Sequence, residues 1–259
     1  MHQLRFLMLA LITNLRLSLA LKTAFFLSIF ATILKQVLFL ISWNFFFAKY
    51  QLVKGWDFNS MLAMYGTVCF SMGVVESFFF GFRDLPQMIE NGQLDTFLLQ
   101  PKNRILNIAV SKGDISSIGE IVTGILLMAY SGYLIKDFPM VLVVWFSGSV
   151  FMFSLMLYLG CIAFFIKDSN DFIRELKLNT IILSTQPNSA FGGFLKMLTF
   201  TILPVAFLSY FPVESLRTGR FEYLLATLLG TMIFFGVACW IFNRGVKRYE
   251  SGNLMAFRQ

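Results

Sequence analysis

The sequence predicts an all-α membrane protein with six transmembrane helices. Three observations carry that expectation. Hydrophobic residues make up 57% of the 259 positions and charged residues only 14%, against about 45–50% and about 25% in soluble domains. Six apolar runs are long enough to cross a bilayer, which takes about 20 residues each. The basic residues gather on alternate loops, as they do when one side of the chain faces the cytosol.

The composition also excludes. Mean hydropathy is +0.72, and Phe alone fills 32 positions. A soluble globule of this size could not hide that much apolar surface. A soluble enzyme, a nucleic-acid module and a disordered tail are therefore set aside. The net charge of +7 reads as basic cytosolic loops rather than a nucleic-acid footprint. Cys69, Cys161 and Cys239 lie inside apolar runs without metal-ligand spacing, so neither a disulfide framework nor a zinc site is expected. The one histidine is His2, which removes histidine-based catalysis.

The chain reads as a single transmembrane domain over 1–259, with an interfacial helix at 1–22, a six-span bundle at 23–242 and a cytosolic tail at 243–259. Residues 4–21 are apolar but carry Arg5, Asn14 and Arg16. A signal peptide ending at Ser18-Leu19-Ala20 is one reading, but Arg16 interrupts its apolar region. An amphipathic helix on the cytosolic face, with both arginines toward headgroups, accounts for the pattern better.

The spans follow at about 23–47, 61–81, 114–135, 140–166, 194–211 and 223–242. The third has two candidate starts, because 105–110 is also apolar. The fifth contains Pro204, which should kink it. With the N-terminus inside, fourteen of the 21 basic residues fall on inside segments and five on outside loops. Both termini are then cytosolic, and the expected location is the cytoplasmic (inner) membrane, multi-pass. Outside connections are too short for a domain. The inside loops, 82–113 and 167–193, cannot hold a nucleotide-binding domain, and no GxxxxGK[ST] loop occurs, so the chain cannot hydrolyse ATP alone.

The loop from Arg83 to Pro101 is too charged to span. Leu85, Met88 and Ile89 have helical spacing, Asn91-Gly92 stops that helix, and Asp95 can cap a second turn bearing Phe97, Leu98 and Leu99. It reads as a rigid cytosolic knob suited to a partner's groove, or as a loop that seals the bundle.

Charges inside spans come next. Glu76 lies in the second span, where a charge costs about 2.5–3.5 kcal/mol on insertion scales and should face protein or water. Lys35 lies mid-way along the first. A Lys35–Glu76 pair is conceivable, as a gating pair or as a purely structural one. Asp114 reads as a helix cap. Glu120, about 120° around the helix from it, shares a face with Ser116 and Gly124 and is a candidate for the inner vestibule, so the two are not expected to form one site. Gly73, Ser77 and Gly81 form a small-residue row, for packing within the subunit or between subunits.

Three blocks then bear a resemblance. Gly92-Gln93-Leu94-Asp95-x-x-Leu98-Leu99-x-Pro101 resembles the G-[EQ]-L-D-x-x-L-L-x-P stretch of six-span ABC-2-type permeases. Pro187, then Leu198-Thr199-x-x-Ile202-Leu203-Pro204-Val205-Ala206-Phe207, then Tyr210-x-Pro212, is similar to a second block. Gly245-x-x-x-Tyr249-Glu250-Ser251 is similar to the family's G-x-x-x-Y-x-S ending. The chain departs at Ser251-Gly252-Asn253, where many members have small residues, and lacks the Arg-Tyr that often precedes the proline at 187.

The resemblance implies a transport subunit and not an enzyme. It implies an exporter role driven by two separate ATP-binding subunits, with a second permease, the same chain or a homologue, completing the pathway in the lipid bilayer. ATP and magnesium would belong to the partner, with no cofactor in this chain. The loop between the second and third spans would be the coupling segment, through Asp84, Leu85, Gln87, Met88, Gly92, Leu94, Asp95, Leu98, Leu99 and Pro101. Short helices around Pro204, Tyr210 and Pro212 would dip in from the outer face between the fifth and sixth spans. Lys35, Glu76 and Glu120 stand as pathway or gating candidates.

The alternative is an ATP-independent membrane protein, a secondary transporter or an assembly or immunity factor. Secondary carriers show inverted repeats and charges at broken helices; no repeat is visible, and Pro204 alone breaks a span. A membrane enzyme would need convergent catalytic groups, which the scattered carboxylates do not supply.

Overall fold

The structure, a computed structural model, describes residues 2–20, 22–49, 55–186 and 191–249. Among these the chain is helical and forms no strand. α1 (His2–Ala20) is followed by α2 (Lys22–Lys49) and α3 (Phe58–Phe78). A loop then carries three short helices, α4 (Leu85–Glu90), α5 (Asp95–Leu98) and α6 (Arg104–Ala109). α7 (Ile118–Tyr130), α8 (Tyr133–Lys136) and α9 (Phe138–Gly160) return through the bundle. α10 (Asn170–Ser184), α11 (Gly193–Phe200), α12 (Tyr210–Thr218) and α13 (Phe221–Arg248) complete it.

Among the described residues, four helical stretches are long and apolar enough to cross a membrane: Phe25–Lys49, Phe58–Phe78, Phe138–Phe164 and Phe221–Arg248. They coincide with the first, second, fourth and sixth predicted runs. The third run forms a shorter apolar helix, Ile115–Tyr130, and the ambiguous stretch before it becomes the separate helix α6. The fifth run, expected as one kinked helix over 194–211, is not one. α11 ends at Phe200, a 3-10 turn occupies Val205–Phe207, and α12 begins at Tyr210. Pro204 has no N–H to continue a helix, and the Leu203 N–H instead bonds back to the Leu198 carbonyl at 3.1 Å.

α3 is the centre of the bundle and packs against α7, α9 and α12, while α13 packs on α9. Stacked rings mark the seams, Phe70 on Trp145 at 4.2 Å and Phe151 on Phe234 at 4.8 Å between centroids. Small residues let the backbones meet. A Cβ at Gly73 would fall 2.7 Å from the Ile121 nitrogen, and one at Gly124 would fall 2.7 Å from the Phe70 nitrogen. The small-residue row thus serves packing within this chain. At one end of the bundle the core gathers around Phe82, Leu85, Ile108 and Leu155. At the other it gathers around Trp56, Met64, Met128 and Val213.

Candidate functional site

The loop between α3 and α7 is built as a module on a neck. Its two ends are tied together. The Asp114 N–H donates to the Glu76 carbonyl at 2.9 Å, and the Phe80 N–H donates to the Lys112 carbonyl at 3.1 Å. Lys112 also pairs with Asp84. Gly81 sits where a Cβ would overlap the Ile108 carbonyl at 1.9 Å, and Gly113 where one would press on the Ser77 carbonyl at 2.6 Å. Only glycine lets these strands of the neck approach.

Within the module, α4 ends at Glu90, Asn91 closes it, and Gly92 turns the chain with φ +71°, as the Asn-Gly signal predicted. Leu85, Met88 and Leu94 are buried in the bundle's core. Gln87 and Pro101 are exposed, Gly92 and Leu98 half-buried, and Leu99 is 86% exposed. The predicted apolar stripe therefore divides: part anchors the module and Leu99 stands at its tip. Asp95 is the first residue of α5 rather than its cap. Its carboxylate faces Tyr249, whose phenol is pushed up to about 12 by burial and then by the Asp95 charge.

That contact joins two of the blocks read from the sequence. Tyr249 also lies edge-on to Phe164, with centroids 6.3 Å apart. A Cβ at Gly245 would fall 2.2 Å from the Phe164 ring. Gly245 is small because that ring rests on it, and the ring in turn positions Tyr249 beside Asp95. Pro187 and residues 250–253, which also belong to the blocks, lie outside the described residues.

Above the neck is a charged cavity of about 570 Å³. Lys35, Glu76 and Glu120 all line it, together with Asp84, Gln87, Asp114 and Lys177. The pairing differs from the conceivable Lys35–Glu76 contact. Lys35 reaches Glu120 Oε1 at 3.2 Å. Glu76 Oε1 instead receives Lys177 at 3.3 Å, and its Oε2 accepts from the Ser117 hydroxyl at 3.4 Å. Asp114 and Glu120, expected to part company, share the cavity. The helical rotation does not apply between them, because a 3-10 turn, Ile115–Ser117, intervenes. Asp114 caps that turn as predicted, accepting from the Ser116 N–H at 3.1 Å.

Sequence reasoning missed Lys177, which it counted only as a loop charge. The signal was present. Ile173, Leu176, Thr180, Ile181 and Ser184 make a helical stripe, and Lys177 lies on that stripe rather than opposite it.

At the far end of the bundle, Arg217 on α12 donates to the Gly55 carbonyl at 2.6 Å and to Glu214 at 3.0 Å, and covers the Trp56 ring at 5.2 Å. Tyr210 packs on the same ring at 5.8 Å, and Pro212 is buried in the first turn of α12. Pro204 leads into the preceding 3-10 turn. These residues close the end of the bundle opposite the loop module.

A family model described as "ABC-2 family transporter protein" matches residues 33–252. No curated protein matches the chain, and no solved structure does.

Proposed function

Because the chain belongs to the ABC-2 transporter family, we propose that it is the permease subunit of an ABC exporter, driven by separate ATP-binding subunits. The observation that carries this reading is the loop module. It is fixed to the bundle through buried Leu85, Met88 and Leu94, and it presents Leu99, 86% exposed, at its tip. A leucine that stands out from a module anchored in the core is suited to a partner's groove. On this reading the module faces the cytosol and docks an ATP-binding subunit, one on each of two permeases. Both termini lie on the same side, in the cytoplasmic membrane. The shorter helix α7 and the broken run at 194–211 complete the six crossings expected from the sequence. The charged cavity is the inner vestibule, and the Arg217 cluster holds the outer end shut. A nucleotide-driven movement of the module would shift the balance between inward- and outward-facing arrangements.

The test is a pull-down of the tagged chain in mild detergent from its native cells. Recovery of an ATP-binding protein in about equal amount supports the reading, and the presence of a second permease band decides between hetero- and homodimer. Reproducible recovery of the chain alone, across several detergents, would favour an ATP-independent membrane protein instead.

A further inference from the structure

The loop module does not only mount a partner; it also supplies the cap of another helix. α10 begins after a sharp turn in which Asp168 adopts φ +50°, a conformation that Asp tolerates better than most residues. Its N-cap, Ser169, makes no side-chain capping bond, and its buried hydroxyl has no hydrogen-bond partner among the described residues. The cap comes instead from Glu90 at the end of α4. One Glu90 oxygen accepts from the Ser169 backbone N–H at 3.3 Å, and the other accepts from the Asn170 side-chain amide. A carboxylate at this position satisfies one orphan backbone donor and complements the helix dipole. Ile173, in the first turn of α10, joins the apolar cluster that holds Leu85, Met88 and Ile89 of α4. One turn further along, α10 delivers Lys177 to Glu76 on the cavity wall.

We infer that α10 is a lever, pivoted at Glu90, that transmits movement of the loop module to the charged cavity. Glu90 is thus a positioning residue, acting on the cavity through Lys177 without touching anything that crosses. A helix capped by its own residues would keep its start when the module shifts. This one has its first turn held from α4, so α4 and α10 move together or the cap breaks. The inference rests on the proposed docking of an ATPase for its purpose, but not for its test.

The test uses the full chain alone in lipid nanodiscs, with two readouts. Hydrogen exchange reports the first turn of α10, at residues 170–173. Maleimide labelling of Ile181→Cys reports the far part of the helix, where Ile181 lines the cavity about 16 Å along α10 from its start. The background carries Cys239→Ala, since Cys69 and Cys161 are already buried. Glu90→Ala should raise exchange at 170–173 and raise the labelling rate at position 181 by about fivefold, the scale of a lost cap. Glu90→Gln, which keeps an acceptor for the Ser169 N–H, should change both by less than about twofold. Lys177→Met should raise labelling at 181 and leave exchange at 170–173 unchanged. If Glu90→Ala does not yield folded protein, Asn170→Ala removes one of the two bonds and should move both readouts the same way. Faster exchange at 170–173 with an unchanged labelling rate at 181, in either variant, would make Glu90 a local cap only and overturn the lever. A failed search for an ATP-binding partner would overturn the functional reading and leave these results standing.

Discussion

Lys177 places its ammonium 3.3 Å from Glu76, a residue 101 positions earlier, and both side chains are largely buried, at 16% and 12% exposure. An unpaired carboxylate at that depth would be costly. The lysine offsets part of that cost, and the Ser117 hydroxyl occupies the other oxygen. The pair joins α3, the centre of the bundle, to α10.

Breaking it from one side should therefore destabilise the fold. Glu76→Gln or Lys177→Met alone is expected to cost about 3–5 kcal/mol, because the partner charge is left behind. The exchanged pair, Glu76→Lys with Lys177→Glu, should recover at least half of that loss. Thermal unfolding in detergent, followed by size-exclusion fluorescence, reads the difference. Additive losses in the exchanged pair would show that the two charges do not support each other.

Gly245→Ala should lower stability by about 1–3 kcal/mol, the range for overpacking, since the new methyl meets the Phe164 ring at 2.2 Å. Adding Phe164→Leu should restore part of it. Melting curves of the single and double variants decide, and a Gly245→Ala protein as stable as the parent would contradict the packing described.

The Tyr249 phenol carries a pH signature. Its pKa is raised from 10.0 to about 12, so folding favours the protonated phenol. That contribution is fully present below pH 10 and fades as pH rises toward 12. Tyr249→Phe keeps the ring against Phe164 and removes the titration. The variant should lose less stability than the parent between those two pH values; equal losses would place the titrating group elsewhere.

Arg217→Lys keeps the charge at the far end of the bundle but not the fork that reaches both Gly55 and Glu214. A loss of about 1–2 kcal/mol is expected. Proteolysis next to Gly55 should quicken in the same variant, and a rate equal to the parent's would show that Arg217 does not hold Gly55 in place.

Length and apolarity made α2, α3, α9 and α13 legible in the sequence, because nothing soluble needs such runs. The turn at Gly92 and the Asp114 cap were legible because each rests on a local backbone rule. The fifth run was not. Its apolar content reads as one helix, but Pro204 divides it, and α10, too polar to be counted as a span, lies against α9 beside it. Ion pairing was legible only as a need. Glu76 required a partner, yet Lys35 and Lys177 answer that description equally until the chain is folded, when Glu120 takes the first and Glu76 the second. Glu90 showed no signal, since capping a helix 79 residues away leaves no spacing to read.

The most direct test of the proposed docking places a benzoylphenylalanine photo-crosslinker at position 99, at the tip of the module, and another in place of the exposed Phe221, at the opposite end of the bundle. Illumination of native membranes should join position 99, and not 221, to an ATP-binding protein. Crosslinks to such a protein from 221, or only to lipid and this chain from 99, would contradict the assignment of the loop module as the docking site.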